Sequence, residues 1–269
     1  MKEVKYGECR ICGNTGKLSY EHVPPRSAFN SNKAFMYLGK EIIGSENFPW
    51  DLSGKKGRQL QKGIGFYTLC EKCNNNTGHL YGSSFVEFTY QGYKKTSNLK
   101  VESNEWVSLN FTDIYPLRII KQIIAMFLSV NSPGLPKVHT EFRDLLLSKE
   151  KKGLSEKKFG LYIYILRGAI LRYVGIGGIL FSDKSMRILS EISAPPFGYV
   201  LEINPKDKSK YCDITFFANQ YEYNEKKTIT LNIPILENNS IFPTDYRTRE
   251  QIMHDYISNQ LYKLNKKAL

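Results

Sequence analysis

The stretch Cys70-Glu71-Lys72-Cys73-Asn74 repeats the C-x-x-C spacing of Cys9-Arg10-Ile11-Cys12, and the two segments bracket the first part of the chain. Two such pairs can supply four thiolates to one tetrahedral zinc ion, which makes a closed, structural site. A redox pair is the competing interpretation, but two pairs in a small region favour a metal in a reducing compartment. We therefore predict a structural Zn²⁺ site with these ligands: Cys9, Cys12, Cys70 and Cys73.

A carboxylate and an imidazole are adjacent between the two pairs, where residues 18–26 read Leu-Ser-Tyr-Glu-His-Val-Pro-Pro-Arg. Glu21 and His22 end a predicted strand that proline closes, and Asn74 opens a predicted helix after the last cysteine. A zinc ion that binds both pairs brings the two segments into one neighbourhood. Oxygen atoms of Glu21 and Asn74 could then hold Mg²⁺ or Mn²⁺, while His22 works as a base.

Taken together, these segments resemble the HNH (ββα-metal) endonuclease superfamily, in the zinc-bound branch that includes phage recombination endonuclease VII. The similarity covers about residues 1–82. It implies that His22 is the general base and that one catalytic cation stabilises the leaving 3′ oxygen, giving 5′-phosphate and 3′-hydroxyl ends. The residues that fall on the zinc ligands and on the two cation ligands are these: Cys9, Cys12, Cys70 and Cys73 for Zn²⁺, and Glu21 and Asn74 for Mg²⁺ or Mn²⁺.

The chain departs from the pattern of that superfamily at two positions. Glu21 stands where aspartate is commoner, which places the expected cation slightly further from the strand. Gly65 stands where many relatives carry a middle asparagine, about five residues before the third cysteine. The catalytic set predicted here is therefore His22, Glu21 and Asn74, without a middle asparagine.

Beyond residue 82 the pattern changes to that of an α+β domain. Pro116 and the apolar residues that follow it at helix spacing predict a helix over 113–129, and a second helix is expected over 136–147. Thr248 and Gln251 form a capping-box pattern at the start of a closing helix over 248–263, with Ile252, Tyr256 and Leu264 on one face. Apolar runs rich in β-branched and aromatic residues predict strands of a mostly antiparallel sheet over 161–166, 170–176, 199–203, 212–217 and 228–236.

Breaks between these strands are expected at Gly177-Gly178 and at Pro195-Pro196. Cys212, in an apolar run, is interpreted as a small core residue. The fold class is thus α+β: an N-terminal zinc-stapled ββα-metal module over 1–82, followed by an α+β domain over 83–269 that could recognise a substrate or partner.

The net charge of +12 is compatible with a polyanionic partner, although AT-rich coding is an alternative source of the lysines. The segment 54–58, with Lys55, Lys56 and Arg58, is either a solvated turn or a phosphate-contacting loop. His79 is either an extra metal or phosphate contact or a helix-surface residue, and the second is favoured; His139 and His254 are interpreted as structural. The aromatic residues after the second cysteine pair either stack on bases or form the seam between the two domains, and the seam is favoured: Tyr81, Phe85, Phe88, Tyr90 and Tyr93.

We therefore expect a metal-dependent endonuclease that acts on DNA, with RNA as the alternative substrate and a role in phage defence or restriction. A non-catalytic zinc-ribbon module that binds nucleic acid and an RNA-cleaving toxin stay open as alternatives. No secretory leader is recognised in the first residues, and the longest apolar stretch is too short to cross a bilayer. A cytoplasmic location and no membrane partner are expected.

Overall fold

The computed structural model describes residues 4–42, 48–100, 102–168, 170–180, 184–206 and 210–267, with side chains as far as residue 258. Helices and a mostly antiparallel sheet together form an α+β fold, as predicted. Among the described helices, none combines the length and apolar character that crossing a lipid bilayer requires.

The N-terminal part contains a three-stranded antiparallel sheet in the order β1-β2-β5, built from β1 (Tyr6–Glu8), β2 (Thr15–His22) and β5 (Gly65–Cys70). Between β2 and β5 the chain forms a two-stranded excursion and a short helix: β3 (Ala34–Met36), α1 (Gly39–Ile42) and β4 (Arg58–Leu60). Strand β5 leads without a loop into helix α2 (Glu71–Thr77).

A single helical run then continues past residue 82. After α2 come one π-helical turn (Gly78–Gly82) and helix α3 (Ser83–Thr96). Buried apolar residues on both sides of this point, from Val23 and Leu69 to Ile233 and Ile235, belong to one core cluster. The part that carries the four cysteines and the rest of the chain therefore share a core.

The larger sheet has seven strands, of which six follow the order β6-β12-β7-β10-β9-β8, while β11 pairs with β7. All described pairings in it are antiparallel except that of β12 with β7. Its strands are β6 (Trp106–Ile114), β7 (Phe159–Arg167), β8 (Tyr173–Leu180), β9 (Met186–Ala194), β10 (Phe197–Ile203), β11 (Cys212–Asp213) and β12 (Lys227–Glu237).

Helix α4 (Pro116–Val130) is the central helix of the fold, and nearly every one of its side chains is buried. Pro116 occupies its first turn, where the missing N–H removes no hydrogen bond. Lys121 lies on this helix with no exposed surface, and its ammonium group donates to the carbonyls of Ser148 and Lys149 at 2.7 and 2.8 Å. The helix predicted over 113–129 is thus confirmed with slightly shifted ends.

The strands predicted over 161–166, 199–203 and 228–236 are confirmed within β7, β10 and β12, whereas several other elements differ from the expectations. The helix predicted over 136–147 is two helices, α5 (Gly134–Val138) and α6 (Glu141–Leu147). The strand predicted over 212–217 is only the two residues of β11, followed by a 3₁₀ turn (Thr215–Ala218). Gly177 and Gly178 lie inside β8 and do not break it, whereas Pro195 and Pro196 do separate β9 from β10.

The closing helix α7 (Arg249–Lys267) begins at the predicted capping box. The Thr248 N–H donates to the Gln251 side chain at 2.9 Å, and the Gln251 N–H donates to the Thr248 hydroxyl at 3.2 Å. Ile252 is buried as expected, while the side chain of Leu264 lies outside the described residues.

Candidate metal centre and the His22 face

The four predicted zinc ligands lie together. The sulfur atoms of Cys9, Cys12, Cys70 and Cys73 are all within 4.8 Å of one another, and the Cys12 and Cys70 sulfurs are 3.9 Å apart. Tetrahedral zinc with Zn–S bonds of about 2.3 Å requires sulfur atoms roughly 3.8 Å apart. The donor set and its spacing therefore fit a structural Zn²⁺ ion, which would hold the β1–β2 turn against the β5–α2 junction.

Each cysteine pair lies where the backbone turns. In the first pair the Cys9 N–H donates to the Asn14 carbonyl at 2.9 Å and the Gly13 N–H donates to the Cys9 carbonyl at 2.8 Å. Gly13 has a φ of +79°, a conformation that favours glycine over other residues. Cys70 and Cys73 span the end of β5 and the first turn of α2, where the helix N-terminus favours thiolates.

The pKa values of the Cys9, Cys12 and Cys73 thiols are shifted in different directions. The pKa of Cys9 is lowered to about 4, first because the Cys73 thiol donates a hydrogen bond to it, while burial opposes this shift. That same hydrogen bond, with burial, raises the pKa of Cys73. Burial also raises the pKa of Cys12. One thiolate forms readily, and further ionisation needs a cation to balance the accumulating negative charge.

The first cysteine pair is joined to the helices of the larger part. Arg10, between the two cysteines, donates to the carbonyls of Leu128 and Ser129 at the end of α4. Arg143 on α6 forms a 2.9 Å ion pair with Glu8. Helix α4 ends with unpaired carbonyls, so Arg10 supplies partners that the helix itself lacks. The metal-binding turn and the central helix are therefore mechanically connected.

Glu21 lies on the buried side of β2 and is only 3% exposed. Its carboxylate accepts a hydrogen bond from the Ser129 hydroxyl of α4. Burial raises its pKa to about 8, although the Ser129 hydrogen bond acts in the opposite direction. A bulge places Thr68 as an extra residue opposite β2, and the Thr68 hydroxyl donates to Ser129 at 3.0 Å. Glu21 is thus part of a buried hydrogen-bonded group.

His22 lies on the opposite, accessible side of β2. Its Nε2 is 2.9 Å from the Lys62 carbonyl, and because a carbonyl only accepts, Nε2 is the protonated nitrogen and Nδ1 carries the lone pair. The ring packs edge-on against Tyr20, with centroids 5.1 Å apart. Tyr20 in turn packs against Tyr67 at 5.3 Å and donates to the Gly63 carbonyl at 3.0 Å. We call the surface formed by Tyr20, His22 and Tyr67 the His22 face.

Asn74 fastens helix α2 to β2. Its side-chain Nδ2 donates to the Ser19 hydroxyl at 3.0 Å and to the Tyr20 carbonyl at 3.1 Å. These bonds use the donor end of the amide and leave Oδ1 as its acceptor. Asn74 therefore lies next to the His22 face, whereas the Glu21 carboxylate points to α4. As placed here, Glu21 and Asn74 do not fit as joint ligands of one hard cation.

Gly65 explains the missing middle asparagine. It pairs with His22 across the sheet, and a Cβ atom on it would lie 2.2 Å from the Glu21 carbonyl oxygen. Asn30, which sequence reasoning missed, instead supplies a buried amide nearby. Its Nδ2 donates to the carbonyls of Pro24 and Ile64, and its Oδ1 accepts from the Ile64 N–H, all at 2.7 Å. Nothing local in the sequence signals partners that are 34 residues away.

The segment 58–62 meets the His22 face at two points, the charge of Arg58 and the backbone carbonyl of Lys62. Arg58 and Lys62 are exposed, and the carbonyl of Lys62 is the one that holds His22. Burial raises the pKa of Tyr20, but the positive charge of Arg58 opposes that shift, which places this guanidinium close to the ring. Lys56 is exposed and Lys55 half-buried. The segment thus brings positive charge to the side of β2 that carries His22.

The remaining histidines lie apart from this group. His79 is exposed on the π-helical turn. His139 packs edge-on against Phe159 at 5.2 Å, and His254 lies exposed beside Asp255 on α7.

The pKa of Cys212 is raised to about 12, mainly by burial.

The chain matches no protein-family model, and neither the curated proteins nor the solved structures include one that resembles it. Interpretation of the site therefore depends on the geometry and on the motifs themselves.

Proposed function

We propose that the protein is an HNH-type endonuclease that hydrolyses phosphodiester bonds in DNA, with His22 as the general base. The observation that supports this best is the state of the imidazole. His22 lies on the accessible side of a zinc-stapled strand, and the Lys62 carbonyl engages its Nε2. Its Nδ1 is then the nitrogen free to accept a proton.

In the proposed reaction, Nδ1 of His22 takes a proton from a water molecule as the water oxygen forms a bond to phosphorus. The bond from phosphorus to the 3′ oxygen breaks, and that oxygen is protonated by solvent. The products are a 5′-phosphate and a 3′-hydroxyl end. Arg58 and the neighbouring lysines would neutralise the phosphate charge that otherwise repels a nucleophile. Tyr20 and the Lys62 carbonyl orient the ring.

A catalytic Mg²⁺ or Mn²⁺ ion belongs to this proposal, as a source of charge stabilisation. Asn74, whose Oδ1 has no hydrogen-bond partner assigned above, would supply an oxygen ligand, whereas Glu21 would have to leave its hydrogen bond with Ser129 to do so. The steps above are accordingly assigned to His22 and to the basic side chains. Cleavage assays with Mg²⁺, with Mn²⁺ and without added divalent cation test whether a cation is required, while the zinc content of the protein is kept constant.

The deciding experiment compares wild type, His22→Ala and His79→Ala on supercoiled DNA. General-base assistance contributes about 10²- to 10⁴-fold, so His22→Ala should lose at least that much cleavage rate. It should keep its zinc, its melting temperature and most of its DNA affinity. His79→Ala removes an exposed histidine from a different element and should cut like wild type. Equal cleavage by wild type and His22→Ala would refute the proposed role.

A non-catalytic zinc module that binds nucleic acid is the second candidate. The observation in its favour is that the predicted carboxylate partner of His22, Glu21, lies in the core. This candidate is preferred if wild type binds DNA but cleaves neither DNA nor RNA under any metal condition. Parallel assays on RNA of the same sequence distinguish a DNA endonuclease from an RNA-cleaving toxin. A role in phage defence would appear as a His22-dependent loss of plaques on cells that express the protein.

A further inference from the structure

Three aromatic rings form an exposed cluster beside the loop that follows His22. The Phe29 ring centroid lies 4.6 Å from that of Tyr90 and 4.9 Å from that of Tyr93. Phe29 is 38%, Tyr90 43% and Tyr93 49% exposed. We call this cluster the aromatic platform. It divides the aromatic residues of this region, because Tyr81, Phe85 and Phe88 form the buried seam that was expected.

The two segments that form the platform, α3 and the loop around Phe29, are both fixed with their aromatic side chains facing outward. On α3, Gly92 faces the core so closely that a Cβ atom on it would lie 2.2 Å from the Phe197 ring. Tyr90 and Tyr93, one turn apart, therefore occupy the outer face. Phe29 has a φ of +60°, a left-handed conformation that is unfavourable for a residue other than glycine. It is kept there by the buried Ala28 before it and the hydrogen-bonded Asn30 after it.

Positive charge flanks the platform. Residues 24–33 contain Arg26 and Lys33 and no acidic residue, and α3 ends with Lys94 and Lys95. These four side chains are exposed. Glu87, one turn before Tyr90, is the single acidic residue of the two segments. Exposed rings among cations are suited to a ligand that has both flat apolar faces and negative charge.

The platform and the His22 face share one loop. The Asn30 side chain donates to the carbonyl of Pro24, two residues after His22, so Asn30 holds Phe29 close to the base of the strand that carries His22. The same side chain bonds Ile64, the residue before Gly65. The loop that carries Phe29 is therefore fixed to the end of the strand that carries His22.

We propose that the aromatic platform stacks unpaired bases of a single-stranded DNA segment adjoining the cleavage position. The proposal rests on the proposed function in taking DNA as the ligand. Stacking requires exposed base faces, which a paired duplex does not offer, and it tolerates any base sequence. The substrate class is then DNA with an unpaired segment, such as a single strand, a flap or a branched junction.

The test measures binding in buffer without added Mg²⁺ or Mn²⁺, so that it is independent of cleavage and uses no chelator that would also remove zinc. Fluorescence anisotropy compares an oligothymidylate of about 16 nucleotides with a duplex of the same length. Wild type should prefer the single strand. Tyr90→Ala and Tyr93→Ala should each weaken single-strand binding by about 5- to 100-fold, and Tyr93→Trp should restore it. Tyr6→Ala, which removes an exposed tyrosine from β1, is the matched control and should bind like wild type.

Salt dependence separates stacking from charge. The tyrosine variants should keep the wild-type slope of log affinity against log salt, whereas replacing Lys94 and Lys95 with alanine should flatten it. The proposal is overturned if wild type does not bind the single strand, if it binds the duplex equally well, or if the tyrosine variants bind like wild type. It is also overturned if these variants alter only self-association in sedimentation, which would identify a contact between copies.

The two proposals fail separately. A protein that binds oligothymidylate through Tyr90 and Tyr93 but never cuts DNA refutes the nuclease and leaves the platform. A protein that cuts DNA in a His22-dependent way, with unchanged binding in the tyrosine variants, does the reverse.

Discussion

The Ser129 hydroxyl of helix α4 donates a hydrogen bond to the Glu21 carboxylate of strand β2, across 108 positions of the sequence. This contact turns Glu21 into the core and away from its neighbour His22. It makes a carboxyl group part of the packing between the small sheet and the central helix. The protonation of Glu21 therefore affects the free energy of unfolding of the protein.

Glu21→Gln should stabilise the protein above neutral pH. Burial raises the pKa of Glu21 to about 8 in the folded protein, from an ordinary value of 4.5. Between these values the folded state binds the proton and the unfolded state does not, so the stability of wild type falls as pH rises. Glutamine removes this dependence while keeping the side-chain shape. Denaturant unfolding should show the variant gaining about 2 kcal/mol on wild type between pH 6 and 8.

Cleavage by the same variant tests the role that the HNH resemblance implies for Glu21. A structural carboxyl predicts that Glu21→Gln cuts DNA at the wild-type rate. A large loss of rate with unchanged stability would instead restore Glu21 as a cation ligand. Parallel pH–stability curves for the two proteins would contradict the raised pKa.

Purified protein should contain about one equivalent of zinc. Cys73→Ser removes one of four ligands and should lose most of the metal, whereas Cys212→Ser should keep it, because Cys212 lies outside the cluster. Structural zinc contributes on the order of 10–16 kcal/mol in small zinc-finger peptides, so a strong chelator should lower the melting temperature markedly. Elemental analysis and thermal unfolding measure both effects. Folded protein without zinc would contradict the prediction.

Asn30→Ala should destabilise the protein by about 2–4 kcal/mol, since it leaves the N–H and carbonyl of Ile64 and the carbonyl of Pro24 without their partner. Loss of these hydrogen bonds should also displace the ends of β2 and β5 that lie next to His22. We therefore expect a lower cleavage rate without loss of zinc. Asn32→Ala, an exposed neighbour in the same loop, serves as the control. Chemical unfolding and cleavage kinetics measure the two effects. A change of less than about 0.5 kcal/mol would show that water replaces the amide adequately.

Arg172→Met should cost about 3–5 kcal/mol, because it leaves the carboxylate of Glu191 buried and unpaired. The two side chains are at most 1% exposed and their charged atoms lie 2.7 Å apart. The exposed pair Lys158–Glu141 offers a comparison, and Lys158→Met should cost less than about 1 kcal/mol. Urea unfolding of both variants measures the contrast. Similar losses would mean that the buried pair has no special role.

Replacing Lys55, Lys56 and Arg58 together with alanine should flatten the salt dependence of DNA binding. Each phosphate contact contributes about 0.9 to the log–log slope on duplex DNA, so the slope should fall by up to about 3. Removing the exposed residues Lys149, Lys151 and Lys157 alters the net charge equally and should leave the slope nearly unchanged. If both triple variants behave alike, the 54–58 segment is an ordinary solvated turn.

The four-cysteine cluster was predictable because the two cysteines of each C-x-x-C pair are close in sequence, and two such pairs in one region are typical of a metal site. Alternation along a strand already implied that Glu21 and His22 point to opposite faces. Which of the two faces the core was not predictable, because it depends on Ser129 of α4 and on the extra residue Thr68 in the partner strand.

Strands β6 and β9 were not predicted, for different reasons. Strand β9 buries Ser190, Glu191 and Ser193, and polar residues of this kind indicate a surface until the distant partner Arg172 is known. Strand β6 alternates its buried Leu109 and Phe111 with exposed polar residues, so a local signal for an edge strand was present and was overlooked. Helix α4 was found readily, because an apolar run behind a helix-starting proline is a local signal.

The helical run from Glu71 through the π-helical turn to Thr96 limits where the chain can be divided, in evolution or in protein engineering. A gene fragment that stops at Gly82 ends within a helix and uncovers the buried side chains of Leu69 and Tyr81. We therefore do not expect the part that carries the four cysteines to fold when it is separated from the rest of the chain, either by gene recombination or in a designed fusion. A fusion that contains it needs helix α4 or another element that covers the same buried side chains.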